Sequence, residues 1–419
     1  MVHNDPMNLT AADIDQAAAV LDGIASVTPL QLNERLSALT GATILVKRED
    51  LQPVRSYKVR GAYNLISQLD AREREAGVIC ASAGNHGQGV AFACARLGIR
   101  GKIFVPSTTP RQKKDRMIAL GEGNIDLVVT GDTYDAAAAA AAAEAKRTGA
   151  TMVPAFDDPR TIAGQGTLAR EIVEQLGHAP DVLVVPVGGG GMISGCLTYL
   201  TESYPHTQVV GVEPAGAASM AAALDAGQPV TLKHIDTFID GAAVKRAGDH
   251  TFATVRRYRP RLVTVPEGRV CAEMLRLYQT EGIIAEPAGA LAAAALGIFR
   301  PEPGQEVVIV LSGGNNDLSR YAEVEERALV YLGRKHYFLV NFPQEPGALR
   351  RFLDEILGPD DDITLFEYVK RSNRDSGPAL IGIDLGNPDD YPALLARMEA
   401  SNLNVEVVSS DSPFYRFLV

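Results

Sequence analysis

Residues 182 to 192 read Val-Leu-Val-Val-Pro-Val-Gly-Gly-Gly-Gly-Met, an apolar strand that runs into four glycines and then into a helical pattern from Ile193 to Ser203. No other stretch constrains the chain as much, because a strand that hands over to a helix needs a crossover before its sheet can continue. The alternation recurs. Apolar runs at Gly77–Ala81, Lys102–Val105, Asp126–Val129, Gln208–Val212, Arg261–Val265 and Glu306–Leu311 are separated by helical patterns that include Ala163–Leu176, Ala218–Ala226, Val270–Glu281 and Ala288–Phe299. This order predicts mostly parallel sheets with right-handed connections. Two αβ lobes, each with its own sheet, would hold a ligand between them at the carboxyl ends of strands.

Gly188, Gly189, Gly190 and Gly191, followed by Met192, can present successive backbone amides to one phosphate without a Cβ in the way, and the dipole of the following helix favours the anion. A Walker loop is excluded because no Gly-Lys-Ser/Thr follows. The dinucleotide fingerprint is excluded because Ile193 and Ser194 stand where its third glycine belongs.

Three further stretches carry chemistry. Arg55-Ser56-Tyr57-Lys58-Val59-Arg60 places one lysine after the strand-like run Thr43–Lys47. A lysine forms an imine with an aldehyde only when its surroundings desolvate or neutralise it, and a solvated surface lysine is the other reading. Ser82-Ala83-Gly84-Asn85-His86 lies between a strand and a helix expected from about Val90. Its amides suit a substrate carboxylate, Asn85 suits an oxygen on a flat ring, and Ser82 or His86 can add contacts; a plain turn with a packing histidine reads the same residues. Ser312-Gly313-Gly314-Asn315 ends the strand Glu306–Leu311, where the Ser312 hydroxyl either faces a pyridine nitrogen or caps a turn. Glu286-Pro287 reads as a helix cap, and Glu213-Pro214 lacks the carboxylate cluster that a metal would need, so no metal is expected.

A net charge of −11 and the absence of Trp argue against a nucleic-acid surface. Cys80, Cys94, Cys196 and Cys271 form no C-x-x-C pair, so reduced thiols are expected and not a zinc site or disulfides. No stretch reads as a signal peptide or membrane span, which predicts a soluble cytoplasmic chain. Helices are expected at Ala12–Ile24 and Leu30–Leu39, and the alanine run Ala136–Ala143 reads as a capped scaffold helix. Beyond residue 330 the pattern becomes strand His336–Phe342, helix Gly347–Leu357, strands Ile363–Lys370 and Ala379–Leu385, helix Tyr391–Ala400 and strand Val405–Ser409. This βαββαβ order is that of a ferredoxin-like unit.

Taken jointly, Ser56–Ala62, Ser82–His86, the tetraglycine and Ser312–Asn315 resemble the fold-type II pyridoxal-phosphate enzymes, in particular the threonine dehydratases. Tyr57 stands where many relatives have Phe. The resemblance implies an α/β, two-lobed catalytic domain over residues 1–332, with the smaller lobe at about 52–155, followed by an α+β, ACT-like regulatory domain over 333–419. It implies pyridoxal 5'-phosphate bound through Lys58 beside Tyr57, Asn85 on the ring hydroxyl, Gly188 to Met192 on the phosphate and Ser312 on the ring nitrogen. Ser82, Gly84, Asn85 and His86 would then receive the substrate. The implied reaction is β-elimination and deamination of L-threonine to 2-oxobutanoate, and of L-serine to pyruvate, as the first step of isoleucine biosynthesis. The C-terminal domain would bind isoleucine, with valine as antagonist, in a homotetramer. A catabolic serine/threonine deaminase, a serine racemase and a threonine synthase share the same lysine and glycine pattern.

Overall fold

The apolar runs become strands in the computed structural model, which describes residues 9–368, 375–401, 403–409, 412, 415 and 418. The chain divides into two compact units, Met1–Glu267 with Ile283–Asn316, and Gly268–Gly282 with Asp317–Val419.

The first unit holds two sheets. The larger has the strand order Leu30–Leu32, Thr43–Arg48, Glu306–Leu311, Val182–Pro186, Gln208–Pro214 and Arg261–Val265. All its pairings are parallel except the first, where Leu30 faces Lys47 across an antiparallel edge. The central strands Val182–Pro186 and Glu306–Leu311 are almost wholly buried, as helices on both faces require. The smaller sheet is entirely parallel, in the order Ile125–Val129, Gly101–Val105, Val78–Ala81 and Thr151–Met152. Its core gathers Leu65, Ile66, Val78, Val90, Ile103 and Met117. The alanine run lies in the helix Tyr134–Thr148, which is capped by the Thr133 side chain and ended by Gly149, and packs Ala137, Ala141 and Ala145 on this sheet.

Two expectations are corrected. Residues 30–39 are not one helix: Leu30–Leu32 is an edge strand, and the helix begins at Glu34, where Asn33 Oδ1 accepts the Leu36 amide at 2.9 Å. The helix expected from about Val90 starts at Asn85, so Asn85, His86 and Gly87 occupy its first turn.

In the C-terminal unit the strands order as Asp362–Tyr368, Ser376–Asp384, Lys335–Pro343 and Asn404–Val408, all antiparallel, with helices Ala348–Glu355 and Tyr391–Ala400 between them in sequence. The order and connections are those of the predicted βαββαβ unit, packed around Phe338, Phe342, Phe352, Ile381 and Leu394. The end of the strand expected to reach Lys370 lies outside the described residues. Helix Glu267–Glu281 contributes most of its length to this unit. No helix of the described residues is long and apolar enough to cross a membrane.

Candidate active site

Lys58 is the first residue of the helix Lys58–Ser67, and Tyr57 is its N-cap. The segment is fastened to the end of strand Glu306–Leu311: Ser56 bridges Gly313, the Tyr57 amide donates to Ser312 O at 3.2 Å, and the Gly314 amide donates to Arg55 O at 3.0 Å. Arg55 adopts φ 56°, a left-handed conformation that costs a non-glycine residue about 1 kcal/mol and reverses the chain just ahead of the lysine. Lys58 Nζ donates to Ala155 O at 3.1 Å and lies 5.1 Å from the centre of the Tyr57 ring.

The next residue, Phe156, packs against the tetraglycine. A Cβ on Gly189 would fall 2.4 Å from the Phe156 ring, and one on Gly191 would fall 3.0 Å from Phe156 Cβ. Gly190 has φ 94°, open to glycine at no steric cost. The loop carbonyls are engaged elsewhere: Thr251 Oγ1 donates to Gly189 O at 2.6 Å and the Ser194 amide to Gly190 O at 3.0 Å. The helix starts at Gly191, so its first amides have no intrahelical acceptor and remain for an anion. Met192, by contrast, is buried beneath this turn. Ala155-Phe156 thus joins the lysine amine to the glycine cradle.

Asn85 lies against the turn that follows Ser312. Asn85 Nδ2 donates to Glu286 Oε1 at 2.6 Å, and Asn315 Nδ2 donates to Asn85 Oδ1 at 2.7 Å. A Cβ on Gly313 would fall 2.3 Å from Glu286 Oε1 and 3.3 Å from Asn85 Nδ2. Ser312 Oγ donates to Ala288 O at 3.3 Å, a long bond from a rotatable hydroxyl that can turn its proton to another acceptor.

Glu286 was expected as a helix cap, and the structure corrects this. It does sit at the N-cap position of Pro287–Ala295, but its side chain makes no cap hydrogen bond and turns instead to Asn85. Burial, then the nearby Asp240 carboxylate, push its carboxyl up to about 7. Sequence reasoning missed this residue, since Glu-Pro before a helix is an ordinary capping signature. Glu213 accepts the amides of Met220 and Ala221 at 2.7 and 2.9 Å, and burial raises its carboxyl to about 7.

The Ser82–His86 stretch divides its labour. Ser82 Oγ accepts the Gly84 amide at 3.3 Å, and Gly84 precedes the first helical residue. The His86 ring is buried with Nε2 2.7 Å from Val153 O, and its Nδ1 has no partner among the described residues. Burial, followed by the charge of Lys58, lowers its pKa to about 4, so the ring is neutral. What His86 offers an anion is its backbone amide at the helix start.

A buried ion network holds the lysine helix in place. Arg60 donates to Glu49 Oε2 at 2.9 Å and Oε1 at 2.8 Å, and to Glu171 Oε2 at 2.8 Å. Lys47 Nζ completes it on Glu171 Oε1 at 2.5 Å, Gln175 Oε1 at 2.6 Å and Thr28 O at 2.7 Å. Strand Thr43–Arg48, the lysine helix and helix Pro159–Leu176 are thereby locked together two residues from Lys58.

These features fit an aldehyde cofactor that carries a phosphate: a lysine amine, a side-chain-free amide cradle one residue from its hydrogen-bond partner, and a buried Ser56 Oγ without a partner among the described residues. The model of the pyridoxal-phosphate dependent enzymes matches residues 21–313. The model of the C-terminal regulatory domain of threonine dehydratase matches 326–418. The chain is 61% identical over 414 residues to the biosynthetic L-threonine dehydratase of Mycobacterium tuberculosis, covering 98% of this chain and 96% of the relative. It belongs to the biosynthetic L-threonine dehydratases.

The dehydratase of Corynebacterium glutamicum is 54% identical over 98% of this chain and 95% of its own length. Among solved structures, the processed form of threonine deaminase isoform 2 from Solanum lycopersicum is 40% identical with a TM-score of 0.73, over 78% of this chain and 94% of that one. Maize serine racemase is 28% identical with a TM-score of 0.70, over 77% of this chain and 98% of that one. The dehydratase fold is therefore the two-lobed core that the sequence implied, followed by an ACT-like unit.

Proposed function

We propose that the chain deaminates L-threonine to 2-oxobutanoate and ammonia with pyridoxal 5'-phosphate, in isoleucine biosynthesis, and L-serine to pyruvate by the same route. The reading rests on the placement of Lys58 Nζ against Ala155 O, next to the Phe156 ring that packs the glycine cradle. Bound there, the cofactor supplies an electron sink for the pair left behind when the Cα proton departs.

The residues have separate tasks in this reading. Lys58 would hold the cofactor in the absence of substrate and, as a free amine once substrate is bound, would take the Cα proton, with Tyr57 flanking it. The amides of Gly188 to Met192 would carry the phosphate, Asn85 would donate to the ring hydroxyl and Ser312 would face the ring nitrogen. A neutral hydroxyl partner would leave that nitrogen mostly unprotonated, whereas a carboxylate would hold it protonated. Ser82 and the backbone amides of Gly84 to His86 receive the substrate carboxylate at a helix start. The β-hydroxyl leaves as water; the enamine released tautomerises and takes up water, so threonine yields 2-oxobutanoate and ammonia in balance.

Lys58→Ala is expected to abolish both ketoacid formation and the visible absorbance of the bound cofactor, and retained turnover would overturn the reading. Comparing products from L-threonine, L-serine and phosphohomoserine separates this activity from racemase and synthase chemistry.

In the C-terminal unit, a hollow of about 450 Å3 is lined by Phe342, Leu349, Leu353, Phe366 and Tyr368, with Arg350 among its polar residues. Apolar walls with a cationic group suit isoleucine, with valine as its antagonist. Isoleucine should raise the threonine concentration at half-maximal rate, valine should reverse it, and Phe366→Ala should blunt both responses. A homotetramer in the cytoplasm completes the reading, and native mass measurement tests the assembly.

A further inference from the structure

The Asn85 amide has little freedom. Its Oδ1 is taken by the Nδ2–H of Asn315 at 2.7 Å, and one of its own N–H groups is taken by Glu286 Oε1 at 2.6 Å. A flipped amide would set oxygen against the Glu286 carboxylate and nitrogen against the Asn315 NH2, losing both bonds. With the amide held in this orientation, the remaining side-chain N–H is the donor that Asn85 can offer a ligand. Glu286 is itself fixed: its amide donates to Gly313 O at 3.1 Å, and its Oε1 lies 2.3 Å from where a Gly313 Cβ would be, so the turn leaves room for the carboxylate and no more. Asn315 is fixed in turn by donating to Val54 O at 2.8 Å.

We propose that Glu286 is a positioning residue that, with Asn315, orients Asn85 so that its free N–H faces an acceptor oxygen on the cofactor ring. The inference rests on the assignment of Asn85 to the ring hydroxyl made above. It gives a buried acid 201 residues from Asn85 a task that its helix-cap position does not explain.

The test is a double-mutant cycle on the full chain, reading the dissociation constant for pyridoxal 5'-phosphate by equilibrium dialysis together with the absorption maximum of the bound cofactor. Asn85→Ala and Glu286→Ala are each expected to weaken cofactor binding about tenfold, as the loss of a charge-assisted hydrogen-bond partner does. The double variant should be no weaker than either single one. Glu286→Gln, whose amide oxygen accepts the same N–H, should stay within about threefold of wild type. If Asn85→Ala leaves affinity and absorption unchanged, the assignment of Asn85 fails and the inference falls with it. If Asn85→Ala weakens binding and Glu286→Ala adds a further tenfold in the double variant, the assignment stands and the positioning role is overturned.

Discussion

Glu49 and Glu286 are both withdrawn from water, at 0% and 4% exposure, and both stand within the framework around Lys58, yet their surroundings treat them in opposite ways. For Glu49, burial alone raises the carboxyl, but the bidentate Arg60 and the Lys47 ammonium reverse the sign, and the net direction is down. Glu286 has no such cation against it. Burial and the Asp240 charge outweigh the hydrogen bond from the neutral Asn85, the Lys113 charge and the Asn315 backbone amide, and its carboxyl rises to about 7. The difference separates a charge kept to hold elements together from one kept where its proton and its orientation matter.

The largest effect should come from breaking the compensated side. Arg60→Met leaves the buried Glu49 and the partly buried Glu171 without their guanidinium and should destabilise the chain by about 3–5 kcal/mol, read as a lowered unfolding midpoint. A loss under about 1 kcal/mol would make the two carboxylates alike.

The uncompensated side should show itself through pH. With its folded-state value raised from the ordinary carboxyl range to about 7, Glu286 binds more proton in the folded than in the unfolded chain between about pH 4.5 and 7. Its contribution to stability is therefore full below that window and lost as pH rises through it. Glu286→Gln should remove roughly 2–3 kcal/mol of this pH-dependent loss, so its stability relative to wild type should improve from pH 5 to pH 8. Glu213, raised to about 7 while accepting two backbone amides, sharpens the contrast. Glu213→Gln should show the same pH trend, shifted to lower stability at every pH because the substitution also weakens contacts to a helix start worth about 1 kcal/mol.

The smallest effect belongs to the surface. Lys113 pairs with Asp240 at 2.8 Å, and Lys113→Ala should cost less than about 1 kcal/mol in thermal unfolding.

Local signals account for what the chain revealed before its structure was seen. Lys58, the tetraglycine after Val182–Val187 and Ser312 at the end of Val307–Leu311 are each set by a strand end or a helix start within a few residues, and the strand and helix alternation fixed the parallel sheets. The three-residue edge Leu30–Leu32 was not legible, because its identity lies in pairing with Leu45–Lys47 and three residues carry no period. The helix start at Asn85 was hidden by Gly87 and Gly89, which read as loop. Gly89 is instead a point of close approach, where a Cβ would fall 3.0 Å from Lys58 O. The contact between Glu286 and Asn85 was hidden by distance, since 201 residues separate the two.

The lysine and its glycine cradle are tested most directly by loading the chain with pyridoxal 5'-phosphate, reducing it with borohydride and mapping the added mass by peptide. The account predicts the phosphopyridoxyl mass on the peptide that contains Lys58, and no labelled peptide from Lys58→Ala. Label on Lys47, Lys113 or any other lysine, or an unlabelled chain, would contradict it.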